Sequence, residues 1–313
     1  MFANRIAGDP LFFMMMPQKS VLLVLNPISG VLNPDTVRAR FETVFQEAGW
    51  STAVYVTTPQ NSLAESVLQF ISNGVCLIVA AGGDGTISEV ASALVDTGIP
   101  LGILPTGTWN ALARNLGIPL LLEDALKLLT GPNRGIWLDA LAIRGRHYLL
   151  NVGIGLSASV INATQRQQKK RFGFLAYVWN LLVQASGLRL RQFRLNIDGH
   201  EYRIRASELM VVNSSILGLG ELKTLVEIAP GDGIVEILAI RAPTLFGLAK
   251  IALSYIIGHR KVGPGYTTYS ATHTISIRSR RSEVVQADGE IIGRTPIEIQ
   301  VRPSAVEIIV PLR

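Results

Sequence analysis

Apolar positions in the first third of the chain fall into two textures. Val21-Leu22-Leu23-Val24-Leu25 and Val75-Cys76-Leu77-Ile78-Val79-Ala80-Ala81 are unbroken apolar runs, the pattern of strands buried on both faces within a parallel sheet covered by helices. Helical spacing separates them, at Val37, Phe41, Val44 and Phe45 within residues 35–48, where Gly49 is the stop, and again over 62–71. Residues 51–57 alternate around Ala53, Tyr55 and Thr57, a further helix is marked by Ile87, Val90, Ala91 and Leu94, and 100–104 make another short strand. Regular strand-to-helix alternation predicts a doubly wound parallel α/β layer, with ligands bound beyond the carboxyl ends of the strands.

After Asn133 the texture changes to successive strand-like segments: 135–143, 147–152, 189–197, 202–213, 234–240, 272–279, 283–287 and 296–301. Turn signals such as Arg144-Gly145-Arg146, Asp198-Gly199-His200 and Asp288-Gly289 separate several of them, which predicts an antiparallel β-sandwich. Two helical stretches interrupt this texture, 172–185 and 245–257. Both are apolar almost all round, the first preceded by Arg166-Gln167-Gln168-Lys169-Lys170-Arg171 and the second ending in His259-Arg260-Lys261.

The organisation expected is therefore a disordered tail over 1–18, an α/β domain over 19–132 and a β-sandwich over 133–302. Its 313 residues suffice for two cores, and 48% hydrophobic against 17% charged residues excludes a disordered chain. The net charge of +6 suits nucleic acid, an anionic membrane or an anionic nucleotide. Nucleic acid is disfavoured, because no aromatic stacking motif accompanies the charge. Cys76 is the single cysteine, so no disulfide forms within the chain. Its place inside a predicted strand suggests a buried structural thiol in a reducing cytoplasm. Leu11 to Met16 are too short an apolar run for a signal peptide, and no segment offers the roughly twenty apolar residues of a membrane span. The four histidines show no metal-ligand spacing.

The candidate chemistry gathers at two glycine loops. Gly82-Gly83-Asp84-Gly85-Thr86 ends one apolar run just where a helical pattern begins. Glycines there allow close approach of a ligand, and the first amides of the helix form an anion site. A carboxylate inside an anion site needs a cation beside it, so Asp84 points to magnesium; the plainer alternative is a turn with Asp84 as helix cap. No Gly-Lys-Ser/Thr follows, which excludes a Walker A loop. The second loop, Pro105-Thr106-Gly107-Thr108-Trp109-Asn110, opens another helix, and the two loops together could hold one polyphosphate. Asn26-Pro27-Ile28-Ser29-Gly30 stops the first strand, and an Asn there can bond either the turn or a ligand.

In order and spacing, Asn26-Pro27-x-x-Gly30, Gly82-Gly83-Asp84-Gly85-Thr86 with Glu89-Val90, Pro105-x-Gly107-Thr108-x-Asn110-x-x-Ala113-Arg114 and Ala287-Asp288-Gly289-Glu290 resemble the diacylglycerol kinase catalytic family. That family includes sphingosine and ceramide kinases and small bacterial lipid kinases. The resemblance covers nearly the whole chain after the tail. One departure is Ala111, where relatives often carry aspartate. The resemblance implies an ATP- and Mg2+-dependent lipid kinase, with a nucleotide domain joined to a β-sandwich, the site between them, and residues 303–313 returning to the first domain. It implies nucleotide contacts from Asn26, Thr58 (or Thr57), Gly82, Gly83, Asp84, Gly85, Thr86, Ile87, Ser88, Glu89 and Thr108. It implies Asp288 as the base, Glu290 beside it, Asp139 linked to the metal, and Asp232 at a structural magnesium. Asp288-Gly289 read alone would be a hairpin turn. The partners implied are ATP, a lipid such as diacylglycerol, and the anionic inner membrane face, where the basic runs would sit on headgroups. A homodimer stays open. A soluble NAD kinase-like enzyme and a non-catalytic nucleotide or lipid sensor are the rival readings.

Overall fold

The computed structural model describes residues 19–30, 32–58, 62–163, 189–213, 231–242, 244, 246–247 and 265–312. The expected tail, the basic run 166–171, the apolar stretch 172–185, nearly all of 245–257 and the basic 259–261 lie outside the described residues.

The first lobe is built from β1 (Ser20–Leu25), α1 (Pro34–Glu47), β2 (Ser51–Val56), α2 (Leu63–Ser72), β3 (Leu77–Gly82), α3 (Asp84–Leu94), β4 (Leu101–Pro105), α4 (Ala111–Asn115) and α5 (Leu122–Thr130). Strand order is β2-β1-β3-β4, all parallel. Successive side chains of a strand face opposite ways, so Leu22 and Val24 of β1 pack under α2 and α3, while Val21 and Leu23 pack against α1 and α5. Both faces are covered, which is why β1 and β3 read as unbroken apolar runs. Helix starts follow local chemistry: Asn33 accepts from Asp35 N–H ahead of Pro34, and Ser62 caps α2 by accepting from Glu65 N–H.

The second lobe comprises β5 (Asn133–Ile143), β6 (Arg146–Tyr148), β7 (Asn151–Gly155), α6 (Leu156–Ala163), β8 (Arg191–Ile197), β9 (His200–Ala206), β10 (Glu208–Val212), β11 (Val235–Ile240), β12 (Tyr266–Ala271), β13 (Thr274–Ser279), β14 (Val284–Ala287), β15 (Glu290–Arg294) and β16 (Ile297–Pro311). One sheet of the sandwich runs β12-β11-β10-β7-β14-β15. The other is continuous with the first lobe, in the order β2-β1-β3-β4-β16-β13-β8-β9. Phe193, Leu195, Ile275 and Ile277 from one sheet meet Val152, Ile154, Leu209, Val211 and Ile237 from the other in a single core. The long β16 is the shared member. It pairs antiparallel with β13 and with β5, and Ile308 sits beside Leu101 of β4 in parallel register, with an irregularity between Arg302 and Val306.

Several boundaries differ from those the pattern predicts. The segment 147–152 is divided at Leu149 and Leu150, and 202–213 at Ser207, whose N–H and hydroxyl both donate to the Ile240 carbonyl. β12 and β15 lack the expected apolar alternation: Tyr-Thr-Thr-Tyr-Ser is polar on both faces, and β15 carries Gly293. Cys76 is exposed, correcting the expectation of a buried thiol. β3 begins at Leu77, two residues into the apolar run, Val75 takes the inward position, and the Cys76 sulfur faces out with a contact to the Ser20 carbonyl.

Candidate active site

Three loops meet at the carboxyl ends of β1, β3 and β4. Gly83, extended, precedes the first turn of α3, and its N–H donates to Ser29 Oγ at 2.7 Å. Thr106 and Gly107 N–H groups both donate to the Gly82 carbonyl. The approach is too close for side chains. A Cβ on Gly107 would lie 2.4 Å from Gly83 Cα, and one on Gly30, at φ +97°, would lie 1.8 Å from the Thr106 carbonyl oxygen. Asn26 Nδ2 donates to Thr86 Oγ1 at 2.9 Å, and its Oδ1 accepts from Ile28 N–H. The loops are thereby locked around the N-terminus of α3, whose first-turn amides suit an anion.

Asp288 enters this region from the opposite lobe. It and Gly289 both have positive φ, 46° and 84°, in the tight turn between β14 and β15. Its Oδ2 accepts from the Ser88 hydroxyl of α3 at 2.7 Å and from Leu149 N–H at 2.9 Å, and its Oδ1 accepts from Leu150 and Asn151 N–H, each at 3.0 Å. These three consecutive amides lie where the chain passes from β6 in one sheet to β7 in the other. Burial raises the Asp288 carboxyl above the usual range, against the pull of those donors.

Asp84, at the start of α3, lies close to Asp288. Burial raises its carboxyl, the Leu112 and Ala111 amides pull it back down, and the Asp288 charge pushes it up. Its Oδ1 receives Leu112 N–H at 3.4 Å. Glu290 is exposed, and its Oε1 would be 3.5 Å from a Cβ on Gly85; Arg146 stands 4.0 Å from its other oxygen. Asp84, Asp288 and Glu290 thus converge on the first turn of α3. Of the remaining residues expected there, Glu89 is exposed at the cleft, lining a pocket with Ser88, Asp288 and Glu290. Thr108 and Thr58 are exposed beyond β4 and β2. Ile87 has its side chain in the core and its N–H on the Gly83 carbonyl, so it faces away from any ligand.

Asp139 is placed differently. It is buried, and its two oxygens accept from Gly233 N–H at 2.9 Å and Ser304 N–H at 2.8 Å. Burial raises its carboxyl, the two amides lower it, and nearby Asp232 raises it again. Asp232 is exposed and accepts from Ile234 N–H. These two acids form a separate pair where β5 meets the irregularity in β16. Among the described residues no cluster of three or more His, Cys, Asp or Glu could hold a metal. A magnesium ion at either pair would complete its shell with phosphate, carbonyl or water oxygens, which is its usual habit. The orphaned oxygens Oγ1 of Thr106 and Oδ1 of Asn110, buried without a hydrogen-bond partner, fit a site that binds a further polar group.

Two supporting residues escape sequence reasoning. Gln286 is buried; its Oε1 accepts from Gly289 N–H and its Nε2 donates to Asn151 Oδ1, bracketing the Asp288 turn. The Asn151 carbonyl also accepts from Asp288 N–H, while Asn151 N–H donates to Asp288 Oδ1. The only sequence signal for either is a polar side chain within an otherwise apolar strand.

Comparison with known proteins finds the diacylglycerol kinase catalytic domain over residues 20–136 and the YegS C-terminal NAD kinase beta sandwich-like domain over 151–310. A Bacillus subtilis protein named diacylglycerol kinase is 25% identical over 94% of this chain and 97% of its own length. A Pseudomonas fluorescens protein named "probable lipid kinase YegS-like" is 29% identical over 95% and 97%. The crystal structure of a diacylglycerol kinase from Bacillus anthracis superposes with a TM-score of 0.73 at 24% identity, over 94% of this chain and 97% of that one.

Proposed function

As the chain belongs to the family that joins a diacylglycerol kinase catalytic domain to a YegS-type C-terminal β-sandwich, we propose that it is an ATP- and Mg2+-dependent lipid kinase. It would phosphorylate the hydroxyl of diacylglycerol or a related lipid at the inner face of the membrane, from the cytoplasmic side. The observation that carries this reading is the Ser88–Asp288 hydrogen bond, which puts a carboxylate from the β lobe against the helix whose glycine loop suits a triphosphate.

Phosphoryl transfer asks the chain to hold phosphates, to tolerate a cation and to place a base beside the attacking hydroxyl. Gly82, Gly83, Gly85 and Thr86, with Asn26, Thr58, Ser88, Glu89 and Thr108 around them, are the proposed nucleotide contacts, Gly83 through its bare backbone because its N–H is held by Ser29 Oγ; Ile87 contributes only packing. Asp288 would take the proton of the lipid hydroxyl as that oxygen bonds to the terminal phosphorus and the bond from that phosphorus to the bridging oxygen breaks, ADP leaving with the electron pair. Burial raises the Asp288 carboxyl above the usual carboxylate range, which makes it a stronger proton acceptor when ionised. Glu290, at the mouth, would orient the hydroxyl. Mg2+ at Asp84 would spread the negative charge that develops on the phosphate. Asp139 and Asp232 are proposed to share a second, structural Mg2+. Among the described residues no helix is long and apolar enough to cross a membrane; the lipid is proposed to be met at the bilayer surface.

The test is transfer of radiolabelled phosphate from ATP to a panel of diacylglycerol, sphingoid base, ceramide and NAD. Labelling of a lipid that disappears in Asp288→Ala is the expected result. Labelling of NAD alone, or of nothing, would overturn the reading.

A further inference from the structure

A second cavity lies at the other end of the sandwich. It occupies about 320 Å³ where the open edge of β9 faces β11 and β12. In the sheet order β12-β11-β10-β7-β14-β15, three strand steps separate β11 from β14, which leads into the Asp288 turn. At about 4.8 Å per step that is roughly 14 Å, so the cavity is not part of the catalytic cleft.

Its lining joins apolar to cationic side chains. Ile204 and Ala239 form an apolar floor, and Arg203, Arg205 and Arg241 form the rim. Arg241 is pinned there, its N–H donating to the Gly265 carbonyl and its Nη2 to Thr267 Oγ1. Tyr202 and Tyr269, ring centroids 4.8 Å apart, join the two edges. None of the three rim arginines forms an ion pair among the described residues. The arrangement also extends across the adjoining sheet. Arg203 of β9 stands directly opposite Arg194 of β8, which stands directly opposite Arg278 of β13. Like charges opposite one another across a ladder are destabilising, and here the repulsion recurs on three adjacent strands beside a cavity with a cationic rim. An anion offsets that cost, and guanidinium forks match the oxygens of a phosphate.

We propose that this cleft is a phosphate-binding site, distinct from the catalytic one, that takes a phosphate group carried on an apolar body, as in the headgroup region of an anionic phospholipid. The same guanidinium rim would accept free phosphate, and the experiment separates the two sources. The inference stands on the cavity and its arginines and does not depend on the kinase assignment.

The full chain is sedimented with phosphatidylglycerol vesicles and with phosphatidylcholine vesicles, and titrated calorimetrically with inorganic phosphate. The comparison is with R203Q/R205Q/R241Q and with the charge-matched control R38Q/K127Q/R134Q. Preference for phosphatidylglycerol, reduced at least tenfold in the rim variant and far less in the control, supports the site with lipid as the source. Phosphate binding in solution that the rim variant alone loses supports it with free phosphate as the source. Equal losses in the two variants, no loss in the rim variant, or no binding by the parent chain would each overturn it. Should the rim variant fail to fold by circular dichroism, Arg205→Gln alone, at an exposed position, carries the same comparison.

Discussion

Ser88 and Asp288 are 200 positions apart in sequence, and the hydroxyl of the first donates to Oδ2 of the second across 2.7 Å. That bond ties α3 to the β14–β15 hairpin of the sandwich and so joins the two lobes.

If Asp288 is the base, Asp288→Ala lowers kcat by about 10²–10⁴, the usual contribution of a positioned proton acceptor. Nucleotide affinity, measured with a fluorescent ATP analogue, changes little, because the glycine loops are untouched. Wild-type turnover in this variant would remove Asp288 from the chemistry.

Ser88→Ala removes one donor from the Asp288 carboxylate. Burial already raises that carboxyl and the Ser88 bond lowers it, so losing the bond raises it further. The acidic limb of the kcat/KM profile is expected to move to higher pH. A profile that keeps its position and only falls in height would mean that Ser88 acts on folding instead.

Asp84→Asn tests the proposed magnesium ligand. Activity should require at least tenfold more Mg2+ for half-maximal rate, with the fold intact by circular dichroism. An unchanged Mg2+ activation curve would leave Asp84 as a helix-start residue alone.

Gly107→Ala places a methyl group 2.4 Å from Gly83 Cα, and backbone cannot yield as a flexible side chain can. Overpacking of this kind costs about 1–3 kcal/mol and falls on the loop proposed to hold nucleotide, so ATP affinity should drop more than tenfold. Gly199→Ala is the comparison: its φ is +87° with open space around it, and it should cost some stability and no affinity.

Glu208 gives a pH-dependent stability. Burial raises its carboxyl from 4.5 to about 7, against the Ser157 hydroxyl and amide bonds. The folded chain then holds this proton more tightly than the unfolded chain does. Its contribution is fully present below pH 4.5 and is lost as pH rises through about 7, a change of roughly 3 kcal/mol at 1.36 kcal/mol per unit. Glu208→Gln stays neutral, so in urea titrations it should be the more stable form at pH 8 and close to wild type at pH 5. Parallel stability curves for the two proteins would refute this.

The first lobe was legible because burial on both faces leaves a plain trace, as in Val21 to Leu25, and because Gly82, Gly83 and Gly107 stand where backbones nearly touch. Asp288 was legible as a turn residue, and its neighbours on α3 followed from the glycine loop. What could not be read was carried by the backbone: the amides of Leu149, Leu150 and Asn151 leave no mark in side-chain identity, although they hold the carboxylate. Cys76 was misplaced by one position of alternation, since an apolar run does not show where the strand proper begins. The pairing of Asp139 with the Gly233 and Ser304 amides depends on where β5 meets β16, a contact spanning 165 positions to Ser304.

β16 lies between β4 of one lobe and β13 of the other, and this limits how the protein can move and how it can be cut. Opening the cleft by a free swing would have to tear a hydrogen-bonded strand, so any closing motion must be a shear or a bend taken up near the irregularity between Arg302 and Val306. Expressing either lobe alone would leave β4 or β13 with a raw edge, an invitation to pair with other chains.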